Sequence, residues 1–164
     1  VKEPKGLLFL GLLLMLLIPS IDAVSSIHIS ALERPEVQRA LKQFLTQERD
    51  FVQRGFSNAP VYLPIVREAL EERGLPSQLS WLPLIESAFS VRAYSRTGAC
   101  GIWQFMPQTA KWYNLRIDFW VDERRDPFKS SSSAAQHLEE LFYYYKNWEL
   151  ALAAYNAGMG AVNR

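Results

Sequence analysis

One cysteine and two histidines in 164 residues leave little material for thiol or metal chemistry. Cys100 alone cannot close an internal disulfide. A thiol nucleophile needs a base beside it, and neither His28, near the N-terminus, nor His137, inside a predicted helix, is placed by pattern to serve. Cys100 therefore reads as a small packing residue, and both histidines as structural or solvent-facing. No ligand-like spacing of Cys and His occurs, so neither a zinc site nor any other metal or cofactor is expected. An excess of one charge is also missing. Eighteen Lys and Arg face 17 Asp and Glu, a net charge of +1, without the concentrated basic surface that nucleic acid requires. Strand-like alternation and internal repeats are absent, and the only low-complexity tract is Ser130 to Ser133.

Apolar residues make up 49% of the chain and aromatic residues 13%, enough for one domain with a real core. Five Trp and seven Tyr suit either packing or a groove on which sugar rings stack. The N-terminus stands apart. Lys2 and Lys5 precede an unbroken apolar run from Leu7 to Ile18, followed by Pro19-Ser-Ile-Asp-Ala23. These are the regions of a secretory signal, with a cut expected after Ala23. Twelve apolar residues are short for a membrane span. Ile21 is larger than the residue preferred near such a cut, so an uncleaved anchor is the alternative. The expected division is a leader over 1–23, a linker over 24–34 and one folded domain over 35–164. The chain begins with Val and stops soon after a Gly-rich helix end; the expectation is a domain truncated at its C-terminus.

The remaining signals are helical. Val37, Leu41, Phe44, Leu45, Phe51 and Val52 predict one amphipathic helix with Pro35 in its first turn. Tyr62, Ile65, Val66, Ala69 and Leu70 predict a second, closed by Gly74. A third covers Leu79 to Phe89, with Pro83 implying either a kink or a start nearer Pro83. Pro107 opens a fourth over Gln108 to Tyr113. Ser130 to Ser133 offer N-caps for a fifth. Asn147 caps a sixth, Trp148 to Ala157, whose near-continuous apolar run marks it as buried; Gly158 and Gly160 end it. Two long non-helical insertions, Ser90 to Met106 and Asn114 to Lys129, are of a length that usually carries function.

Glu86 is the residue that breaks the pattern. Leu79, Leu82, Glu86 and Phe89 share one face at helical period, so a carboxylate occupies a position that calls for a core residue. Such a group must be paired, protonated or functional, and desolvation keeps its proton on near neutral pH. The insertion that follows reads Ser95-Arg-Thr-Gly-Ala-Cys-Gly-Ile-Trp-Gln-Phe-Met-Pro107. Gly98 and Gly101 permit a tight turn and close backbone approach to a ligand. Trp103 and Phe105 offer flat faces, and Gln104 a donor and an acceptor; the mix suits an uncharged polyhydroxylated ligand, or a turn with aromatic packing. Tyr155 and Asn156, in Ala154-Tyr-Asn-Ala-Gly158, end a buried helix with polar groups that need partners. They suit either a role facing Glu86 or a C-cap with one satisfied core Tyr.

Glu86-Ser-Ala-Phe89, the Ser95-to-Pro107 loop and Ala154-Tyr-Asn-Ala-Gly158, in this order, resemble the lytic transglycosylases of bacterial cell walls, as does Trp120-Val-Asp-Glu-Arg-Arg-Asp-Pro127. The resemblance runs from about Val37 to the end. It implies an all-α, lysozyme-like domain that cleaves the β-1,4 bond between N-acetylmuramic acid and N-acetylglucosamine, leaving 1,6-anhydromuramoyl ends. By position it implies Glu86 as acid and then base. It implies Ser95 near that glutamate and substrate, Gln104 and Met106 lining the sugar groove, and Tyr155 and Asn156 holding the acid and an acetamido group. Asn114 stands where that family often has Gly, a left-handed position Asn tolerates. The implied partner is the peptidoglycan strand, the location the periplasm or envelope of a bacterium, and the N-terminal segment a route to membrane association.

The residues agree at one point. Glycosidases in general flank the bond with two carboxylates, and no second acid stands in the Glu86, Ser95-to-Pro107 or Ala154-to-Gly158 stretches. Asp118, Asp122, Glu123 and Asp126 cluster with Arg124 and Arg125, which reads as a solvated, salt-bridged turn. A substrate that supplies its own hydroxyl needs one acid/base only. Two other readings remain: a muramidase on the same fold that uses water, as goose-type lysozymes do, and a non-catalytic glycan-binding scaffold.

Overall fold

The computed structural model describes residues 35–164. The leader, the linker and His28 lie outside the described residues. Within them the chain forms α1 (Pro35–Thr46), α2 (Arg49–Glu71), a 3-10 turn (Ser77–Trp81), α3 (Leu82–Ser87), α4 (Pro107–Trp112), a second 3-10 turn (Glu123–Arg125), α5 (Pro127–Tyr145), α6 (Trp148–Ala157) and α7 (Met159–Val162). Among the described residues, β-pairing is limited to isolated bridges, two of them inside the Ser90–Met106 insertion. The all-α expectation holds. No described helix is long and apolar enough to cross a membrane.

The long helix α2 is the spine. The first 3-10 turn, α3 and α5 pack against it, and α6 packs on α5. Val66 and Leu70 of α2, Leu79, Leu84, Phe89, Ile102, Trp103 and Leu138 are fully buried and form the centre of one core. Two of these, Ile102 and Trp103, come from the insertion, so that loop is part of the core. Gly55 lets α3 approach α2 closely: a Cβ there would lie 2.1 Å from Leu84 Cδ1, with Ala88 Cα behind it at 3.4 Å.

Several element bounds differ from expectation. Phe51 and Val52 belong to α2, because the chain breaks at Gln47 and Glu48, whose N–H groups both return to Gln43 O. α2 runs on through Pro60 and Pro64, although neither can donate to the carbonyl four residues back. The serine run does not cap α5. Asp126 does, accepting from Phe128 and Lys129 N–H, with Pro127 in the first turn; that pair is the stronger start signal. Ser130, Ser131 and Ser133 are instead buried within α5. Gly160 lies inside α7. The sixth predicted helix stands as expected, Trp148–Ala157, with the Asn147 side chain accepting from Leu150 N–H. Asn114 takes the left-handed φ expected of it, 58°.

Gly55→Ala tests the α2–α3 contact. In an open helical position this change would stabilise by about 1 kcal/mol. Here the added carbon meets a fully buried Leu84, and a net loss of about 1–3 kcal/mol is expected in thermal or urea denaturation. A gain would mean that α3 can move away freely.

Candidate active site

α3 begins at Leu82, with Pro83 in its first turn, so the start nearer Pro83 is the one adopted. Leu82, Pro83, Leu84, Ile85 and Ser87 are buried, while Glu86 keeps part of its surface open to solvent. The helix then reverses. Ala88 and Phe89 both take left-handed conformations, φ 52° and 54°, which cost energy in residues with a Cβ. Two contacts hold this turn. Asn58 of α2 donates its Nδ2 to Ala88 O at 2.9 Å, and the Phe89 ring is wholly buried. The expectation that Leu79, Leu82, Glu86 and Phe89 share one helical face is thereby corrected: Leu79 lies in the 3-10 turn and Phe89 lies past the reversal.

Burial of the Glu86 carboxyl pushes its pKa from the ordinary 4.5 up to about 7. No opposing cation contributes to that shift. The acid is thus open on one side and desolvated on the others, and it holds its proton near neutral pH.

Beside it stands a tight hairpin. Cys100 and Phe105 exchange both backbone hydrogen bonds, each 3.1 Å, and enclose Gly101 to Gln104. Four carbonyls of this hairpin accept side-chain hydrogen bonds, three of them from other parts of the chain. Gly101 O accepts from Gln104 Nε2 at 2.8 Å. Ile102 O accepts from Ser87 Oγ at 2.8 Å, directly after Glu86. Trp103 O accepts from the Tyr155 hydroxyl at 2.9 Å. Phe105 O accepts from Arg124 Nη1 at 2.9 Å. The Trp103 indole N–H donates to Ser131 of α5 at 2.9 Å. Gly101 has φ +80°, and a Cβ there would lie 1.8 Å from Arg124 O. Its freedom therefore serves an approach of protein backbone, where the sequence suggested a ligand.

The predicted site residues divide as follows. Tyr155 comes close enough to Glu86 that, after burial, the glutamate's charge is the next cause raising its phenol pKa well above the ordinary value. Its hydroxyl, however, is donated to Trp103 O. Ser95 Oγ accepts from Ala99 N–H at 2.9 Å and shares a hydrogen bond with Thr97 Oγ1, closing a turn. Gln104 is half-buried with φ 51°. Met106 is 40% exposed, which leaves it available to a ligand. Asn156 is exposed at the end of α6. Cys100 is buried, as expected of a packing residue. His137 is half-buried and structural: its ring lies 5.4 Å from that of Tyr155, and its Nδ1 lies 2.8 Å from the Tyr113 hydroxyl. That hydroxyl gives its proton to Glu140 Oε2 at 2.6 Å, so it accepts from His137 Nδ1–H. Burial lowers the His137 pKa, and this neutral tautomer backs the Tyr155 ring.

Four residues were missed. Ser87 was quoted only as part of the Glu86 stretch, Trp103 only as a flat face for a ligand or for packing, and Asn58 fell between two predicted helices. Arg124 was assigned to a solvated turn, yet it is 3% exposed. Its Nε and Nη2 grip Asp122 Oδ1 and Oδ2 at 2.8 and 2.7 Å. Burial alone would raise the Asp122 pKa, but the guanidinium outweighs it and holds the carboxyl below its usual range. The other charges of that loop are half-buried or exposed, with Arg116 paired to Asp118 and Lys129 to Glu123. Among the described residues, no group of three or more His, Cys, Asp or Glu is placed to hold a metal ion.

An all-α, lysozyme-like domain with one desolvated acid beside a rigid hairpin is what these residues build. The chain belongs to the transglycosylase SLT domain family, whose model matches residues 64–164. It is 38% identical over 109 residues to a protein of Alteromonas sp. (strain M-1) named for tributyltin chloride resistance, a match covering 66% of this chain and 53% of that one. It is 33% identical over 125 residues to the membrane-bound lytic murein transglycosylase D of Escherichia coli K12, covering 76% of this chain and 28% of that one. The protein of the same name from Escherichia coli O6:H1 matches equally. The chain thus spans about half, or less, of the length of these relatives.

The Glu86 shift sets a pH dependence of stability. Between pH 4.5 and about 7 the folded chain keeps a proton that the unfolded chain releases, so stability falls as pH rises through this window. The total is about 3 kcal/mol, and it is flat above the folded pKa. Glu86→Gln carries no such penalty. Urea denaturation should show the variant more stable than wild type at pH 8, by up to about 3 kcal/mol, and equal at pH 4. A difference that does not change with pH would place the carboxyl in open solvent.

Proposed function

We propose that this chain carries the catalytic domain of a peptidoglycan lytic transglycosylase. The observation that supports it most directly is the solitary carboxyl held near pKa 7 by burial, in a chain of the SLT family. The name of the Escherichia coli relative points to the same substrate.

In this reading the Glu86 carboxylic acid protonates the glycosidic oxygen between N-acetylmuramic acid and N-acetylglucosamine as the bond to C1 breaks. The carboxylate so formed then takes the proton of the muramoyl 6-hydroxyl as that oxygen bonds to C1. A 1,6-anhydro end results, water is not consumed, and Glu86 regains its proton. Gln104, Met106 and Asn156 are the residues proposed to meet the glycan. Gln104 and Tyr155 also carry the hairpin, and Ser95 shapes the turn before it. The 1–23 leader would deliver the domain to the periplasm or envelope, with membrane association through that segment if it is not cut. No cofactor is invoked.

Digestion of purified sacculi by the chain, followed by mass spectrometry, tests the reading. Anhydromuramoyl ends are expected, with Glu86→Gln slowing their release by at least about 10²- to 10⁴-fold while glycan binding persists. Reducing ends would establish the water-using muramidase instead. Binding by wild type without cleavage would leave the scaffold.

A further inference from the structure

We infer that Arg124 is a positioning residue for the reaction at Glu86, acting through the 100–105 hairpin. The inference rests on the functional reading above and adds a residue to it.

Arg124 lies in a loop whose other charges are half-buried or exposed, yet its side chain is almost fully buried. Four of its donated hydrogen bonds have identified acceptors. Two go to Asp122, one to Phe105 O, and one, from Nη1 at 2.6 Å, to Gly98 O. Gly98 belongs to the Ser95–Ala99 turn, and Phe105 closes the hairpin. One planar group therefore sets the distance between the two halves of the insertion. Its backbone presses on the same place, since Arg124 O lies where a side chain on Gly101 would begin. Lysine keeps the charge but has no fork with which to hold a carboxylate and two carbonyls at once.

The other hairpin carbonyls are held by neighbours of the acid. Ile102 O is held by Ser87, the residue after Glu86, and Trp103 O by Tyr155, whose phenol feels the Glu86 charge. A hairpin released at Arg124 would shift both. Small displacements of this kind reduce turnover while leaving the core intact.

The test uses Arg124→Lys in the full chain, with three readouts: kcat and KM on solubilised glycan strands, the pH profile, and amide hydrogen exchange. A fall in kcat of about 10- to 100-fold is expected, with a much smaller change in KM. The alkaline limb of the profile should move to lower pH as the acid becomes better solvated. The Cys100 and Phe105 amides should exchange at least about tenfold faster, while those of α2 and α5 stay protected. Wild-type kcat in the folded variant would overturn the inference. So would a uniform loss of protection across α2 and α5, which would mark Arg124 as a general support of the fold. If Arg124→Lys does not fold, Asp122→Asn decides. It keeps the two carbonyl bonds but removes the charge and one of the two oxygens that aim the guanidinium, and a smaller loss of kcat with faster Cys100 and Phe105 exchange is expected; wild-type values would overturn the inference. Reducing ends in place of anhydro ends from the wild-type chain would refute the functional reading alone, because kcat and hydrogen exchange would still report on the clamp.

Discussion

The backbone carbonyls of one hairpin are the meeting point of this structure. Ile102, Trp103 and Phe105 each offer an oxygen in a crowded interior, and each finds its donor in a different element: Ser87, Tyr155 and Arg124. Buried carbonyls left unpaired are costly, so these three bonds are constraints on the relative placement of α3, α6 and the charged loop. Stretches far apart in the chain become one site because they satisfy the same short piece of backbone. The hairpin in turn is anchored by Ile102 and Trp103 in the core.

Glu86 benefits from this arrangement and opposes it. The packing that holds α3 in place removes water from its carboxyl, and the fold is less stable for it at neutral pH. Two consecutive left-handed residues immediately after it add strain. One cost falls on the residue that would move the proton and the other on the two residues of the reversal after it, and the contacts of Asn58, Phe89 and Ser87 offset them. A desolvated acid without an ion-pair partner is poised to give a proton, and for a substrate that attacks itself one such acid is enough.

Much of the fold could be read from local signals. The Asn147 cap and the apolar run of α6, the Pro107 start of α4, and the left-handed Asn114 each depend on a few adjacent residues, and each stands as expected. Glu86 was legible because a charge on an apolar face is an anomaly at short range. What escaped depends on contacts distant in sequence. Nothing in Ala88-Phe89 marks a left-handed pair, since neither is Gly or Asn; Asn58, thirty residues earlier, is what supports it. Pattern cannot tell Arg124 from Arg125, although only the first is fully buried. The serine run looks like a cap because Ser caps helices, but three of its members are needed inside α5, where small side chains let it pack and Ser131 receives the Trp103 indole.

The claim on which the account depends most is that Glu86 holds its proton near neutrality within the folded domain. Carbon-13 NMR of the chain labelled at glutamate carboxyls, with Glu86 assigned by its loss in Glu86→Gln, measures this directly. The account predicts a midpoint near 7 for that resonance. A midpoint at the ordinary value of 4.5 would contradict it, and the case for this residue as the acid would fail.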